Sequence, residues 1–304
     1  MGQQQSKEEL LFRKVSHRDV EGIKSLRRKG AGLEWVDKKG RTPLILACTK
    51  SKLYDVAETL VKLGSNVNAY RSGHNGGTPL HHAANRGRKK TVKLLLSHGA
   101  NPLVLNDDFE TPLDVARAKG YSNVVRAIES HICLFSGWMR EFYGPCFVEL
   151  VAPQLLSRRV WVVVVPTGSR NPKKPFKLEL VVYANLEDAQ PRTVMPLWKA
   201  NLEEPKSDQS DASVLIVDNS RSPMRRRARK RRACVRRWAR VYRQIHLKLA
   251  AATKGDMQQL NWFCEACKGY PQPMNPPVFQ QTSQTTTTKI TVSVELTPSA
   301  PPVM

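Results

Sequence analysis

The sequence predicts a stack of helical repeats followed by a strand-rich domain and a polar tail. Three observations support this α + β multidomain architecture. The tripeptide Thr-Pro-Leu recurs at residues 42–44, 78–80 and 111–113, with spacings of 36 and 33 residues. Apolar, β-branched runs follow residue 135, and a Thr- and Pro-rich segment follows residue 269. A length of 304 residues is sufficient for roughly two domains.

Composition and charge limit the classes of protein to which the chain can belong. Hydrophobic residues make up 40% of the chain, yet no apolar run approaches the ~20 residues of a membrane span. The six cysteines lack the paired spacing of a disulfide framework, and the first residues do not form a secretory signal. We therefore expect a cytoplasmic protein. The net charge of +23 is concentrated, since residues 221–254 contribute 14 Lys and Arg and no acid.

The ends of the helices explain the repeated residues. Thr accepts a hydrogen bond from the first turn of a helix, and Pro fits that turn because its missing N–H has no partner there. Gly30, Gly64 and Gly99 follow the second helix of successive units, where a left-handed residue is common. A single unit cannot bury its own apolar face, so neighbouring units must stack.

The segments at residues 78–84 (Thr-Pro-Leu-His-His-Ala-Ala) and 94–102 resemble the ankyrin-repeat family. The resemblance implies an α-solenoid of about four repeats over residues 8–132. Residues 8–37 are expected to form a degenerate first repeat, and residues 109–132 a terminal repeat, as the capping of a solenoid requires.

The histidines of the third repeat have two interpretations. The ankyrin resemblance implies that His81 bonds the Thr of its own turn. The alternative is a metal site formed by His81, His82 and His98. We prefer the structural role and expect no metal there.

Ankyrin stacks bind proteins through hairpin tips and the concave face of their first helices. The resemblance carries this role to tips near residues 35–39, 70–75 and 106–109. Exposed aromatic residues at these tips suit binding hot spots, but they equally suit packing between adjacent hairpins, and both alternatives stay open. The candidate partner-binding residues are Trp35, Lys38, Arg41, Tyr70, Arg71, His74, Asp108 and Phe109.

A second, β-rich domain is predicted over residues 142–268, with a basic insertion at 221–243. An amphipathic helix at residues 255–268 carries Trp262 and follows the strands. Strands followed by a helix with a central Trp resemble the pleckstrin-homology-like barrel, and the alternative is another α + β domain. Residues 269–304 are expected to form a disordered tail. The predicted strands are residues 146–151, 159–165, 177–184, 193–199 and 213–217.

The chain shows no catalytic triad, phosphate-binding loop or HExxH helix, so we predict no catalytic residue and no cofactor. Cys264 and Cys267 form a single C-x-x-C, and only Cys234 and His246 lie close enough upstream to complete a zinc site. We prefer two cysteines on one helix, one packed and one partly exposed. Residues 213–218 resemble a SUMO-interacting motif, but we prefer an ordinary strand of the second domain.

Two signals concern the location of the protein. Residues 1–6 match the pattern for myristoylation of Gly2, and a single lipid requires a second signal for stable anchoring. A basic run over residues 225–243 is typical of nuclear import, anionic-lipid contact or nucleic-acid backbone binding. We expect the protein to associate with membranes through Gly2. For the basic run we prefer a role in nuclear import, and we expect no nucleic-acid partner. The signal residues are Arg225, Arg226, Arg227, Arg229, Lys230, Arg231 and Arg232.

The early repeats and further segments resemble the plant ankyrin-repeat RING-type E3 ubiquitin ligases: residues 1–6, 161–166, 189–192, 195–200 and 262–269. The RING of that family binds two zinc ions and docks the ubiquitin-charged E2. No Cys or His follows Cys267 in this chain. The resemblance therefore implies an adaptor that recruits substrates in the ubiquitin pathway, as a truncated or alternatively spliced form without the RING would. The alternatives are a myristoylated peripheral membrane scaffold and a nuclear protein that uses the basic run.

Overall fold

The computed structural model of the chain describes residues 6–142, 157–168, 177–205, 211–218, 246–270 and 272. Within these residues, no helix combines the length and the apolar character that crossing a membrane requires. Several predicted features lie outside the described residues, and the predictions made for them stay predictions. They are Gly2, the basic run at 225–243, Cys234, the strand at 146–151 and the tail beyond residue 272.

Eight α-helices occupy the described residues before 133, and they form four helical hairpins. An inner row has α3 against α1 and α5, and α5 against α7, while an outer row has α4 against α2 and α6, and α6 against α8. The helices are α1 (Lys7–Ser16), α2 (Val20–Arg28), α3 (Pro43–Thr49), α4 (Tyr54–Lys62), α5 (Pro79–Asn85), α6 (Lys89–Ser97), α7 (Pro112–Lys119) and α8 (Ser122–Ile132).

The ends of these helices follow the sequence pattern. Thr42 and Thr111 each accept a hydrogen bond from the backbone N–H three residues later, at 3.3 and 3.1 Å. A proline begins each of α3, α5 and α7. Gly30, Gly64 and Gly99 have φ values of +85°, +91° and +81°, which residues with side chains rarely adopt. The prediction of an ankyrin-repeat solenoid is confirmed.

The second half of the chain contains an antiparallel sheet of seven described strands. They are β1 (Phe135–Phe142), β2 (Ser157–Pro166), β3 (Leu178–Tyr183), β4 (Thr193–Pro196), β5 (Ala200–Glu203), β6 (Ser213–Asp218) and β7 (His246–Ala251). Their order in the sheet is β4-β3-β2-β1-β7-β6-β5, and the short 3₁₀ helix Leu197–Lys199 joins the two end strands. Helix α9 (Met257–Lys268) packs Leu260 and Phe263 into the apolar core of the sheet. The prediction of a β-rich domain that ends in a helix is confirmed.

Strand β6 decides between the two interpretations of residues 213–218. It pairs with β5 on one side and with β7 on the other. A SUMO-interacting segment binds by adding a strand with a free edge to the sheet of another protein. Because β6 is paired on both sides, it has no free edge. The ordinary-strand prediction is therefore confirmed, and the SUMO-interacting alternative is wrong.

The two domains share a continuous apolar interface. Val163 and Val165 of β2, with Val181 and Tyr183 of β3, belong to the core of the repeats rather than to that of the sheet. The intervening positions of the same strands point into the core of the sheet. Both faces of β2 and β3 are thus buried, and the outer face of the last repeat is covered by the sheet. A solenoid end needs such a cover or a polar surface.

Candidate partner-binding surface

The first hairpin tip, residues 35–41, is a tight turn built around the Asp37 carboxylate. One carboxylate oxygen accepts from the backbone N–H groups of Lys39 and Arg41, at 2.9 and 2.8 Å. The other oxygen accepts from Nε and Nη2 of Arg41, at 2.9 and 2.6 Å. Burial opposes the charged form, but these hydrogen bonds hold the pKa of Asp37 below its ordinary value. Arg41, a predicted binding residue, therefore stabilises the tip itself.

The second tip, residues 70–77, is a small hairpin that is longer than its neighbours. Arg71 and Gly77 exchange two backbone hydrogen bonds, at 3.0 and 2.7 Å. The Arg71 side chain reaches back to the first tip, where its Nε donates to the carbonyl oxygen of Lys39 at 2.9 Å. This bond ties the first two tips together.

Two aspartates of the third tip, residues 106–110, hold the second tip from the other side. Each carboxylate forms hydrogen bonds with one side chain and one backbone N–H group that lie about one repeat earlier in the chain. Hydrogen bonding from His74 first, and from Asn75, lowers the pKa of Asp108. The three tips therefore form one connected surface, which we call the tip ridge. The contacts are Tyr70 Oη to Asp107 Oδ1 (2.9 Å), Gly73 N to Asp107 Oδ2 (2.7 Å), His74 Nδ1 to Asp108 Oδ1 (3.0 Å) and Asn75 N to Asp108 Oδ2 (2.9 Å).

Phe109 has an unusual backbone conformation at the end of the ridge. The third tip repeats the turn of the first, since Asn106 bonds the backbone of Glu110 as Asp37 bonds that of Arg41. Where the first tip has Gly40 at φ +69°, the third has Phe109 at φ +63°. A bulky residue in this region costs roughly 1–3 kcal/mol. Phe109 is 42% exposed.

The structure places the remaining predicted residues in two ways. Trp35 is half-buried and packs edge-to-face on Phe12 of α1, with ring centroids 5.2 Å apart. Tyr70 is 43% exposed and Lys38 is exposed. Sequence reasoning missed Val36, which is 53% exposed beside them.

Asp107, which fastens two groups of the second tip, was also missed by sequence reasoning. The available signal was its position: an acidic pair follows one period after the enlarged polar tip.

Neighbouring His81 and His82 have different environments on α5. Nδ1 of His81 accepts from the Thr78 N–H at 3.1 Å and lies 2.9 Å from its hydroxyl, and Nε2 lies 3.1 Å from the carbonyl oxygen of Glu110. The predicted bond from His81 to its own turn is confirmed. His82 is 6% exposed, and its Nε2 has no hydrogen-bond partner among the described residues. Burial lowers the pKa of each imidazole to about 4.

A buried polar cluster joins the last repeat to the sheet. Arg117 of α7 donates to the Tyr183 hydroxyl at 3.0 Å and to Glu129 Oε1 at 2.9 Å. The same Glu129 oxygen accepts from the Tyr183 hydroxyl. The guanidinium of Arg126 lies 3.8 Å from the centre of the Tyr183 ring and donates to the carbonyl of Asp188 at 3.0 Å. These bonds fix the orientation of the sheet on the repeats.

Comparison with known proteins adds a family to this geometry. Residues 54–133 match the model for ankyrin repeats, in three copies. The chain is 72% identical over 284 residues to XBAT35 and 71% identical over 297 residues to XBAT34, both candidate E3 ubiquitin-protein ligases of Arabidopsis thaliana. It is 49% identical over 272 residues to XBOS34 of Oryza sativa subsp. japonica, a candidate of the same activity. These matches cover 92%, 96% and 90% of this chain, and 61%, 79% and 49% of the three relatives.

The chain belongs to the plant XBAT-type family of ankyrin-repeat E3 ubiquitin-protein ligases. The family resemblance predicted from the sequence is confirmed. The chain spans less than two thirds of the length of XBAT35 and of XBOS34.

The C-x-x-C segment of this family member lies on α9. Cys264 is 4% exposed, and Cys267 is partly exposed, as predicted. Burial raises the pKa of Cys264 to about 11 and also raises that of Cys267, so neither thiol is activated as a nucleophile. Among the described residues, no group of three or more His, Cys, Asp and Glu is placed to hold a metal ion.

Proposed function

We propose that this chain binds substrate proteins through its tip ridge and recruits them to the ubiquitin pathway. The observation that carries the proposal is the ridge itself, in which hydrogen bonds join three tips while Tyr70 and Phe109 remain 43% and 42% exposed. A surface that is ordered before binding loses little conformational entropy when a partner docks, and aromatic residues are enriched among binding hot spots.

The covered end of the solenoid supports the same proposal. The sheet occupies the outer face of the last repeat, so that face is not available to a partner. The contacts of the tips run between successive hairpins.

The test compares proteins that copurify from plant cells with the wild-type chain and with a ridge variant, Tyr70→Ser combined with Phe109→Gly. A matched control is Lys89→Ala combined with Lys93→Ala, which changes two exposed residues of α6. We expect a set of proteins to be lost from the ridge variant alone, and the same proteins to show altered ubiquitination when the wild-type chain is expressed.

Two results contradict the proposal. The first is an unchanged set of copurifying proteins when both aromatic residues are replaced in a chain whose circular dichroism is native. The second is a set that depends on the ridge but whose ubiquitination does not respond to the chain.

The location of the protein is a separate part of the proposal. We propose that the mature chain carries myristate on Gly2, in the pattern that the first six residues match. A Gly2→Ala variant should move from the membrane fraction to the soluble fraction, and mass spectrometry of the wild-type N-terminus should show the lipid. An unmodified N-terminus would contradict it.

A further inference from the structure

The middle of the repeat stack carries a charge that the proposed ridge contact does not use. Residues 59–106 contain seven Lys and Arg and no Asp or Glu. Two of the seven, Arg71 and Arg86, lie with Arg41 close enough to His82 for their charges to act on its imidazole. We refer to Arg41, Arg71, His82 and Arg86 as the basic cluster.

The imidazole of His82 has an unused hydrogen-bonding atom in this cluster. The residue is 6% exposed, and its buried Nε2 has no partner among the described residues. The adjacent His81 differs, since both of its ring nitrogens have partners. A buried polar atom left without a hydrogen bond costs roughly 1–3 kcal/mol.

The guanidinium groups of the cluster differ in whether their charge is already compensated. Arg41 forms its bonds to the Asp37 carboxylate, which neutralises it. Among the described residues, Arg71 donates to the carbonyl oxygens of Lys39 at 2.9 Å and of Asn75 at 3.4 Å and pairs with no carboxylate. Arg86 is exposed and forms no ion pair in the part of the chain that the structure describes. The guanidinium groups of Arg71 and Arg86 can therefore bind an anion.

We infer that the basic cluster binds a short acidic segment of the recruited protein, with Asp or Glu carboxylates on Arg71 and Arg86. The bound carboxylates would lie beside the buried His82 imidazole, which therefore reports on the site. The inference rests on the proposed function, which it deepens by naming the chemistry of the substrate. Arg suits this role because its planar group forms paired hydrogen bonds with a carboxylate.

The next tip limits the length of the anionic segment. Asp107 and Asp108 lie on the ridge immediately beyond Arg71, where they bind the second tip, and Glu110 follows them. A nucleic-acid strand carries regularly spaced negative charges and would meet these acids. A peptide that is acidic over a few residues and apolar beyond them avoids this repulsion, and its apolar part would reach Phe109.

The experiment uses the full chain and a fluorescent peptide with a run of Glu among Gly and Ser, together with the same peptide carrying Gln. The first variant is the single substitution Arg86→Glu, and the second combines Arg71→Ala with Arg86→Ala. The control combines Lys89→Ala with Lys93→Ala, which removes an equal charge from exposed positions of α6. Because Arg86 is exposed, its single variant is expected to fold even if loss of the Arg71 bonds disturbs the double variant.

We expect the Glu peptide to bind about tenfold more weakly to the Arg86 variants, roughly 1.4 kcal/mol, and less than twofold more weakly to the control. In a chain with isotopically labelled histidines, the ring signals of His82 should shift with the Glu peptide and not with the Gln peptide. Equal weakening in the control, or unchanged His82 signals, would overturn the inference, because binding would then follow overall charge or use another segment. Tight binding of a single-stranded oligonucleotide with the same dependence on Arg86 would also overturn it.

This result is distinguishable from failure of the proposed function. If copurifying proteins depend on Tyr70 and Phe109 but the Glu peptide does not depend on Arg86, only the acidic segment is wrong. If the peptide depends on Arg86 but no copurifying protein depends on the ridge, the cluster binds acids and the substrate-recruiting ridge is wrong.

Discussion

Replacement of Glu129 by Gln tests whether the repeats and the sheet are joined through the buried polar cluster. The substitution keeps the shape of the side chain and removes its charge. Glu129 is 3% exposed and Arg117 is 6% exposed, so Arg117 would remain buried without its carboxylate. The nearest other acid, Asp114, is partly exposed and lies 3.8 Å from the guanidinium.

The magnitude follows from the burial of both charges. Removal of one partner from a buried ion pair destabilises a protein by about 3–5 kcal/mol, because the other charge stays desolvated and uncompensated. Tyr183 would lose the acceptor for its hydroxyl at the same time. We therefore expect the free energy of unfolding to fall by about 4 kcal/mol. Glu129 also pairs with Arg126 at 2.9 Å. Adding Arg117→Met to Glu129→Gln therefore removes one of two stranded charges and should recover part of this loss.

Urea denaturation, followed by circular dichroism for the helices and by tryptophan fluorescence, measures the effect. The matched control is Glu187→Gln on an exposed turn, which should change stability by less than about 0.5 kcal/mol. Two results would refute the reasoning: a Glu129→Gln effect below about 1 kcal/mol, or a double variant that is no more stable than the single one.

Three further predictions concern single side chains. Phe109→Gly should leave the stability unchanged or raise it by up to about 1 kcal/mol in urea denaturation, because glycine removes the left-handed strain; a clear loss would indicate that the ring packs rather than binds. His81→Ala should cost roughly 2–4 kcal/mol, since it removes a cap and leaves buried groups without partners, and an equal cost for His98→Ala on the exposed surface would contradict this. Burial, and then the Asp114 charge, raise the pKa of Glu179 from 4.5 to about 7. Between these pH values the folded state binds more protons than the unfolded state, so the stability falls as the pH rises from 4.5 to about 7. Glu179→Gln should match wild type below pH 4.5 and be more stable above pH 7 by roughly 1–3 kcal/mol, and equal stability at the higher pH would contradict the assignment.

The candidate surface was only partly predictable from the sequence. Register placed Tyr70, Arg71 and Phe109 at hairpin tips, where the structure has them. The role of Arg41 within its own tip and the packing of Trp35 on Phe12 were not predictable, because the same residue types suit a binding surface equally well. The Nε2 of His82, which has no partner among the described residues, could not be predicted either, since His82 differs from His81 only in its surroundings.

The sequence by itself determined the repeat. Threonine caps, helix-starting prolines and left-handed glycines act within a few residues of their positions, so their period is visible in the chain. Only the tertiary structure decided how the tips are fastened and how the sheet seats on the last hairpin. Asp107 holds Gly73 across 34 residues, and Tyr183 meets Arg117 across 66. Such bonds depend on which surfaces meet after the chain has packed, and the local pattern of either segment does not specify its partner.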